Sequence, residues 1–225
     1  MIRLGVLASG SGSNLQALLD ATRDGRIDGT VAVVIGNVPE ARALERAQVA
    51  GVPAELPPSK GVVDRAAYDR EIAARLSARK VDLVCLAGWM RLVTPSFLET
   101  FGPTAATHGC PRVMNVHPAL LPSFPGLHAQ RQALDSGVRF SGCTVHFVDA
   151  GTDTGPIIVQ APVPVLPGDD EASLSARILA EEHRLFPLAV QWFAEGRLEV
   201  RGRQVSLRDA GAPMLDGISN PSGDR

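Results

Sequence analysis

Three side chains have the types and spacing needed to bind a developing oxyanion and to manage a proton. Asn115 and His117 stand two residues apart where a predicted strand ends, and Asp153 follows in a segment rich in Gly and Thr. Side chains alternate along an extended strand, so Asn115 and His117 point to the same side. An amide can donate to an oxyanion, an imidazole can carry a proton, and a carboxylate favours the imidazolium form by charge. The plain alternative is a strand end capped by Asn115, with His117 at the surface beside a proline turn.

A glycine-rich loop, Ser9–Asn14, separates the first predicted strand from the first predicted helix. Glycines let the backbone turn its N–H groups outward, and a helix N-terminus adds positive potential, so the loop suits a phosphate. The dinucleotide fingerprint is incomplete, because Leu15 occupies the third glycine position and Asn37 follows the second strand in place of an acidic residue. A single phosphomonoester is therefore the expected ligand, and a side chain at Gly12 is expected to block its approach. The alternative is an ordinary glycine turn before a capped helix.

Other polar residues have weaker claims to a function. The sequence has no Gly-x-Ser-x-Gly and no His-Glu-x-x-His, which argues against a serine nucleophile and against that type of zinc site. Glu182 and His183 form an isolated pair on a predicted helix, where a solvated helical face is a credible interpretation. We expect His108 to lie at the surface, and His146, in the middle of a predicted strand, to be a satisfied buried histidine.

Composition describes an ordinary globular protein. The chain has 225 residues, 45% hydrophobic and 20% charged, with a net charge of -2 and a sequence pI near 6.2. This balance provides no basic surface for a nucleic-acid backbone. The three cysteines lack metal-ligand spacing, and Cys85 and Cys143, in apolar strand-like runs, indicate reduced core residues of a cytoplasmic protein. The sequence shows no signal peptide and no apolar run of the roughly 20 residues that would span a membrane.

Strand and helix patterns alternate over the first two thirds of the chain. The predicted strands are Ile2–Ala8, Thr30–Ile35, Val81–Ala87 and Val113–Val116. The predicted helices are Asn14–Ala21, Pro39–Ala50 and Asp64–Arg79. This order predicts an α/β fold, with a mostly parallel, Rossmann-like sheet flanked by helices on both faces. In the third helix, Asp64 suits an N-cap, and Ala67, Ile72 and Leu76 are expected to face inward.

The pattern changes in the C-terminal third. Alternation over 143–148 and the run Ile157–Val165 predict an antiparallel addition to the sheet. A long helix over Asp169–Glu195, kinked or broken near Pro187, and a hairpin over Leu198–Leu207 are predicted next. Residues 209–225 are expected to form a loose tail after a single domain over 1–208.

Five motifs along the chain resemble the folate-dependent formyltransferases, most closely the members that act on glycinamide ribonucleotide in purine biosynthesis. The motifs are Ser9-Gly10-Ser11-Gly12-Ser13-Asn14-Leu15-Gln16-Ala17, Leu86-Ala87-Gly88-Trp89-Met90-Arg91, Asn115-Val116-His117-Pro118-Ala119-Leu120-Leu121-Pro122, Phe124-Pro125-Gly126-Leu127-His128 and Asp149-Ala150-Gly151-Thr152-Asp153-Thr154-Gly155-Pro156-Ile157. They occur in the family's order between Ile2 and about Leu198. The resemblance implies a phosphate-binding half at about 1–100 and a catalytic and folate half at about 101–208.

The resemblance also implies roles for individual residues. Asn115 and His117 would bind and polarise the formyl oxygen of 10-formyltetrahydrofolate, while Asp153 would orient His117 and help to move the proton. The residues implied for glycinamide ribonucleotide are Gly12, Ser13, Asn14 and Glu182. Those implied for the folate are Arg65, Met90, Arg91, Leu92 and Val93. No metal and no covalent nucleophile is expected, the partners are small-molecule substrates, and the protein is expected to be a monomer or homodimer.

Two departures from the family pattern and three rival functions stand beside this interpretation. The segment Thr104–Pro111 is longer than is usual in the family, and Gln130 replaces a histidine that is frequent there. Neither departure concerns the catalytic residues.

A formyltetrahydrofolate hydrolase would use the same three side chains with water, but that family carries an N-terminal regulatory domain. A methionyl-tRNA formyltransferase would need a basic C-terminal domain, and a non-catalytic phosphosugar-binding module would not need the three residues. Acceptor binding is expected to close the site through Ala150–Gly155, with the two glycines of this loop accommodating the movement.

Overall fold

The structure, a computed structural model, describes residues 1–58 and 64–208. Its strands are β1 (Ile2–Ala8), β2 (Gly29–Gly36), β3 (Ala54–Glu55), β4 (Leu83–Leu86), β5 (Val113–His117), β6 (Phe140–Phe147), β7 (Ile157–Pro164), β8 (Leu198–Arg201) and β9 (Gln204–Leu207). Its helices are α1 (Ser13–Arg23), α2 (Arg42–Val49), α3 (Arg65–Ala78), α4 (Pro95–Thr100), α5 (Ala129–Asp135) and α6 (Glu171–Ala194), with a 3-10 turn at Ala105–Thr107. The tail predicted for 209–225 lies outside the described residues.

The main sheet has seven strands in the order β3-β2-β1-β4-β5-β6-β7. Strands β1 to β5 run parallel to one another. Strand β6 pairs antiparallel with β5, and β7 pairs antiparallel with β6 at that end of the sheet. Strands β8 and β9 form a separate antiparallel hairpin. The predicted α/β fold with an antiparallel addition is therefore confirmed. Chain order reverses direction between β1 and β4, which is where open α/β sheets bind ligands.

Helices cover both faces of the sheet because the buried strands carry apolar side chains on both sides. In β1, Leu4 and Val6 belong to a core cluster shared with α1 and α6. Leu7 belongs to a second cluster, which contains residues of α3 and α4. The period-2 alternation of one strand thus divides the core into two layers.

The inward face of α3 differs from the prediction at one position. Asp64 is the N-cap, and its side chain accepts hydrogen bonds from two N–H groups of the first turn. Ile72 and Leu76 are buried as expected, but Tyr68 rather than Ala67 completes the stripe. At about 100° per residue, Ala67 lies roughly 140° around the helix from Ile72 and so faces solvent. The large side chain at the next position takes the buried place.

Helix α6 is continuous through Pro187, so the prediction of a break there was wrong. A proline inside a helix removes one backbone hydrogen bond and costs about 3 kcal/mol. The turns on either side of it bury Leu185, Phe186, Ala189 and Val190 completely. Burial of a large apolar side chain stabilises the folded state by about 1.5–3 kcal/mol. Several such side chains together outweigh the cost of the proline.

The long loop Thr104–Pro111 is bonded to the C-terminal hairpin. The thiol of Cys110 donates to the carbonyl oxygen of Leu198 over 3.3 Å, and the N–H of Val200 donates to the carbonyl oxygen of His108 over 3.4 Å. The loop directly precedes β5 and therefore lies at the amino ends of the parallel strands. Its contacts secure the hairpin at the edge opposite Asn115 and His117.

The corrected face of α3 can be tested by a matched pair of substitutions. Leu76 is fully buried and packs against β1, where a Cβ on Gly5 would come within 2.5 Å of its Cδ2. We expect Leu76→Ala to lower the free energy of unfolding in urea by about 2–5 kcal/mol through the cavity it leaves. Ala67→Gln, on the exposed face, should change it by no more than about 0.5 kcal/mol. Comparable losses for the two would contradict the orientation of the helix.

Candidate active site

The predicted site residues meet at the carboxyl edge of the parallel strands. The glycine loop follows β1, Gly88 and Met90 follow β4, and Asn115 and His117 lie in the last half of β5. Two hydrogen bonds join the first two segments: the Ser9 N–H donates to the Gly88 carbonyl, and the Met90 N–H donates to the Ser9 hydroxyl, each over 3.0 Å. Residues distant in sequence are therefore fixed at one edge of the sheet.

Asn115, His117 and Asp153 form one hydrogen-bonded cluster. Nδ1 of His117 lies 3.3 Å from Oδ2 of Asp153, and Nδ2 of Asn115 lies 3.4 Å from Oδ1 of the same carboxylate. Nε2 of His117 lies 2.8 Å from the carbonyl oxygen of Phe124. His117 is almost fully buried, so these protein groups are its main partners. The Asp153 carboxylate is thus within direct reach of both the amide and the imidazole.

The backbone around Asp153 fixes the direction of its carboxylate. Asp153 adopts a left-handed conformation, with φ of 53°, and Oδ2 accepts a hydrogen bond from the Gly126 N–H at 2.8 Å. The loop itself is compact, since Oδ1 of Asp149 accepts hydrogen bonds from the Gly151 N–H and the Thr154 hydroxyl. A Cβ on Gly151 would collide with Thr154. Close packing against Thr154 therefore requires glycine at position 151, and the expected movement of the loop stays a prediction.

Burial and charge act in opposite directions on His117. Burial lowers the pKa of His117, the Asp153 carboxylate and the Phe124 carbonyl raise it, and the neighbouring His146 lowers it further, with a net lowering. The Asp153 carboxylate favours the imidazolium form by charge, as expected, but desolvation is the largest effect and favours the neutral ring. A neutral ring can donate from only one nitrogen, whereas both nitrogens face oxygen acceptors. His117 thus gains a second hydrogen bond when it takes up a proton.

Asp153 remains ionised in this setting. Burial raises the pKa of its carboxyl group, but the His146 ring, the Gly126 N–H and the His117 ring lower it, and the lowering is larger. A charged carboxylate beside His117 can stabilise the imidazolium that forms after proton uptake. The pair is suited to accept a proton and hold it for a short time.

His146 is a fourth member of the cluster that sequence reasoning missed. It is buried, as expected, but its Nε2 lies 3.1 Å from Nδ2 of Asn115 and 3.6 Å from Oδ1 of Asp153. Its Nδ1 lies 2.8 Å from the carbonyl oxygen of Phe147, so Nδ1 carries the proton. In the cross-strand register, Asn115 faces His146 and His117 faces Thr144. The sequence places polar residues two positions apart in each of two buried strands, Asn115 and His117 in β5 and Thr144 and His146 in β6. This repeated pattern is the signal that could have identified His146.

Thr144 holds the proline-rich loop that follows His117. Its hydroxyl donates to the carbonyl oxygen of Ala119 over 2.7 Å and accepts from the N–H of Leu121 over 3.0 Å. The side-chain amide of Gln160 donates to the Leu121 carbonyl over 2.9 Å. Each contact satisfies a polar group that would otherwise be buried and unpaired. The loop that borders the imidazole is therefore anchored to both antiparallel strands.

The glycine loop has the form of an anion site, but its side chains are arranged differently from the prediction. Gly12 is the N-cap residue of α1 with φ of 70°, and α1 has no side-chain cap there. A Cβ on Gly12 would lie 2.7 Å from the Cα of Ala43 in α2, so contact with α2 by itself requires glycine here, and the expected block to an anion stays a prediction. The side chain of Asn14 is turned away from the loop into the protein. The Asn14 side chain is therefore not available in the loop, whereas backbone N–H groups there are.

Glu182 is buried, so its interpretation as part of a solvated helical face was wrong. Nδ2 of Asn14 donates to Oε2 of Glu182 over 2.7 Å. Burial raises the pKa of Glu182 to about 7, although the hydrogen bond from Asn14 opposes the rise. Oδ1 of Asn14 is buried and has no hydrogen-bond partner among the residues that the structure describes. The pair therefore presents carboxylate and amide oxygens that a hydroxyl group could donate to.

The five residues implied for the folate lie in one surface region beside the glycine loop. Nη2 of Arg65 donates to the carbonyl oxygen of Leu92 over 3.0 Å, and the Arg91 guanidinium stacks 4.6 Å above the Tyr68 ring. Met90 and Leu92 are among the most exposed large apolar side chains. Val93 packs against the core layer of α3. The region therefore combines exposed apolar surface with two cations. Gln130, the second departure from the family pattern, lies elsewhere, in α5.

Comparison with known proteins agrees with the fold. The formyl transferase family model matches residues 2–190, so the chain belongs to this family. The phosphoribosylglycinamide formyltransferase of Escherichia coli is 44% identical over 195 residues, which are 87% of this chain and 88% of the relative. A crystal structure of glycinamide ribonucleotide transformylase 1 from Symbiobacterium toebii is 57% identical, covers 93% of this chain and 95% of its own, and has a TM-score of 0.88.

One relative is much longer than this chain. The trifunctional purine biosynthetic protein adenosine-3 of Drosophila melanogaster is 50% identical over 196 residues, which are 86% of this chain but only 14% of that protein.

Within residues 1–58 and 64–208, no helix is long and apolar enough to cross a membrane. The same residues contain no group of three or more His, Cys, Asp or Glu side chains placed to hold a metal ion.

The raised pKa of Glu182 predicts how stability varies with pH. The folded protein holds this proton up to about pH 7, against an ordinary value of 4.5, so the stabilising contribution is complete below about pH 4.5 and is lost as the pH rises through about 7. Glu182→Gln imitates the protonated carboxyl group. Melting temperatures of the wild type should therefore fall relative to Glu182→Gln between about pH 5 and about pH 8. Glu181→Gln controls for removal of one acid from the same turn, and a constant difference across this range would contradict the assignment.

Proposed function

We propose that the protein transfers the formyl group of 10-formyltetrahydrofolate to the primary amine of glycinamide ribonucleotide. The observation that carries the proposal is the cluster of Asn115, His117 and Asp153 at the sheet edge that also holds the glycine loop. Membership of the formyl transferase family supports the chemistry, and the names of the Escherichia coli and Symbiobacterium toebii relatives support the acceptor.

The acceptor is placed between the glycine loop and Glu182. The N–H groups of Gly12, Ser13 and Asn14 bind its phosphate at the positive end of α1. The ribose hydroxyls donate to Glu182 and to the unpaired Oδ1 of Asn14, which satisfies a buried acceptor. Because Asn14 contributes to both subsites, phosphate and ribose are held in a fixed relation.

The donor is placed on the region formed by Arg65, Met90, Arg91, Leu92 and Val93. The exposed apolar side chains of Met90 and Leu92 suit the flat ring system of a folate, and the two arginines suit the carboxylates of its tail. The segment that carries them is bonded to Ser9 of the glycine loop. Donor and acceptor therefore meet beside the end of β5.

The chemical step begins with attack of the neutral amine nitrogen on the formyl carbon. A carbon–nitrogen bond forms, the carbonyl electron pair moves onto the formyl oxygen, and Nδ2 of Asn115 donates to this oxyanion in exchange for one of its present contacts. The proton released by the nitrogen is held at Nδ1 of His117, beside Asp153. When the tetrahedral intermediate collapses, the bond between the formyl carbon and N10 of the folate breaks, and N10 receives the proton.

Substitution of the three residues tests this assignment. We expect His117→Ala, Asp153→Asn and Asn115→Ala each to lower kcat by roughly 100-fold or more while circular dichroism and melting remain those of a folded protein. His108→Ala is the matched control, since His108 is exposed and belongs to the loop at the other edge of the sheet. Turnover near the wild-type rate in a folded His117→Ala protein would refute the assignment.

Hydrolysis of the donor is the enzymatic alternative, because the same cluster could activate water. Transfer requires that water be kept from the formyl carbon until the amine is in place. We therefore expect tetrahydrofolate to form much more slowly without glycinamide ribonucleotide than with it, and proteolysis within Ala150–Gly155 to slow when both ligands are bound. Rapid release of formate without acceptor would favour a hydrolase. Absence of any turnover, with tight binding of the phosphorylated acceptor, would favour a binding module.

A further inference from the structure

Three consecutive carbonyl groups of the glycine loop are occupied by hydrogen bonds from the protein. The Gly10 carbonyl accepts from the N–H of Ala43 at 3.2 Å, and the Ser11 carbonyl accepts from Nε of Arg46 at 2.8 Å. The Gly12 carbonyl accepts from the N–H of Gln16 at 2.9 Å, the first turn of α1. Helix α2 therefore supplies the partners of the first two carbonyls.

These carbonyl contacts decide where the N–H groups of the loop point. In a planar trans peptide, the C=O of one residue and the N–H of the next point in opposite directions. The N–H groups of Ser11, Gly12 and Ser13 are therefore turned away from the three bonded carbonyls. Within the described part of the chain they form no hydrogen bond. Three neighbouring backbone donors are thus left for a ligand, and consecutive N–H groups of this kind form the backbone nests that bind anions.

We infer that Arg46 is a positioning residue for the phosphate of the acceptor: by holding the Ser11 carbonyl, it keeps the Gly12 N–H aimed at the anion. This inference rests on the function proposed above. Nothing else in the described structure bonds to the Ser11 carbonyl. Without Arg46, the peptide between Ser11 and Gly12 is free to rotate and turn its oxygen toward the phosphate, which would repel it.

The geometry of Arg46 suits this task. Its Nη1 donates to Oε1 of Gln16 over 3.1 Å, so the guanidinium links the loop to the first turn of α1 while Nε holds Ser11. Its two bonds use neighbouring donors of one planar group, which a lysine ammonium cannot reproduce with the same rigidity. Arg42, one turn earlier on α2, is exposed and makes no side-chain hydrogen bond within the described residues. Arg42 therefore carries the same charge on the same helix but does not contact the Ser11 carbonyl.

The test compares affinity for glycinamide ribonucleotide with affinity for the same compound lacking its phosphate, each measured by calorimetric titration. In Arg46→Met, we expect the ratio of the two affinities to fall by roughly tenfold or more, with kcat at saturating acceptor within about twofold of the wild type. Arg46→Lys should give an intermediate ratio, and it decides the matter if Arg46→Met fails to fold. Arg42→Met should leave the ratio unchanged, because it removes a charge and no contact.

The outcomes separate this inference from the function on which it rests. If the wild type does not distinguish the phosphorylated acceptor from the dephosphorylated one, the proposed function fails. If the wild type distinguishes them and the two Arg46 variants retain the full ratio, only the role of Arg46 is refuted. An equal loss of affinity for both compounds would also refute it, since it would indicate general damage to the site. A loss in Arg42→Met matching that in Arg46→Met would show an effect of net charge and refute positioning.

Discussion

The carboxylate of Asp153 takes part in each contact that joins the candidate catalytic side chains. One oxygen lies near His117 and accepts from the Gly126 N–H, and the other lies near Asn115 and His146. A buried carboxylate is tolerated only when its charge is paired or hydrogen-bonded. The left-handed turn at Asp153 and the antiparallel pairing of β5 with β6 are the features that bring these partners to it. The rest of the sheet serves to hold this arrangement at its edge.

Burial shifts the pKa values of the site's acids and bases in opposite directions. It keeps His117 neutral and raises the pKa of Glu182 to about 7, whereas local partners keep Asp153 ionised. Desolvation disfavours the charged form in every case, so only the group with enough compensating contacts remains charged. The charge of Asp153 favours the imidazolium form of His117, as expected, but desolvation outweighs this effect. A neutral imidazole beside a charged carboxylate is the pairing that can accept a proton from an attacking amine.

The glycine loop shows how a backbone site depends on its neighbours. Its sequence suggests that glycines leave room for an anion, but Gly12 is required where the chain passes Ala43. Helix α2 then bonds two of the loop's carbonyls, which determines the direction of the opposite N–H groups. The anion site is thus a property of two helices and the loop between strand and helix, and not of the glycine motif alone.

The sequence by itself determined the α/β order of elements and the positions of Asn115, His117 and Asp153 in their motifs. It could do so because strand burial, helix caps and motif spacing depend on residues that are close together in the sequence. It failed where side chains from distant segments compete for the same space. Tyr68 rather than Ala67 took the buried position, and packing kept α6 continuous through Pro187. Tertiary structure alone decided that His146 faces Asn115, that Glu182 is buried against Asn14, and that Arg46 holds the Ser11 carbonyl, because each contact joins residues at least 30 positions apart.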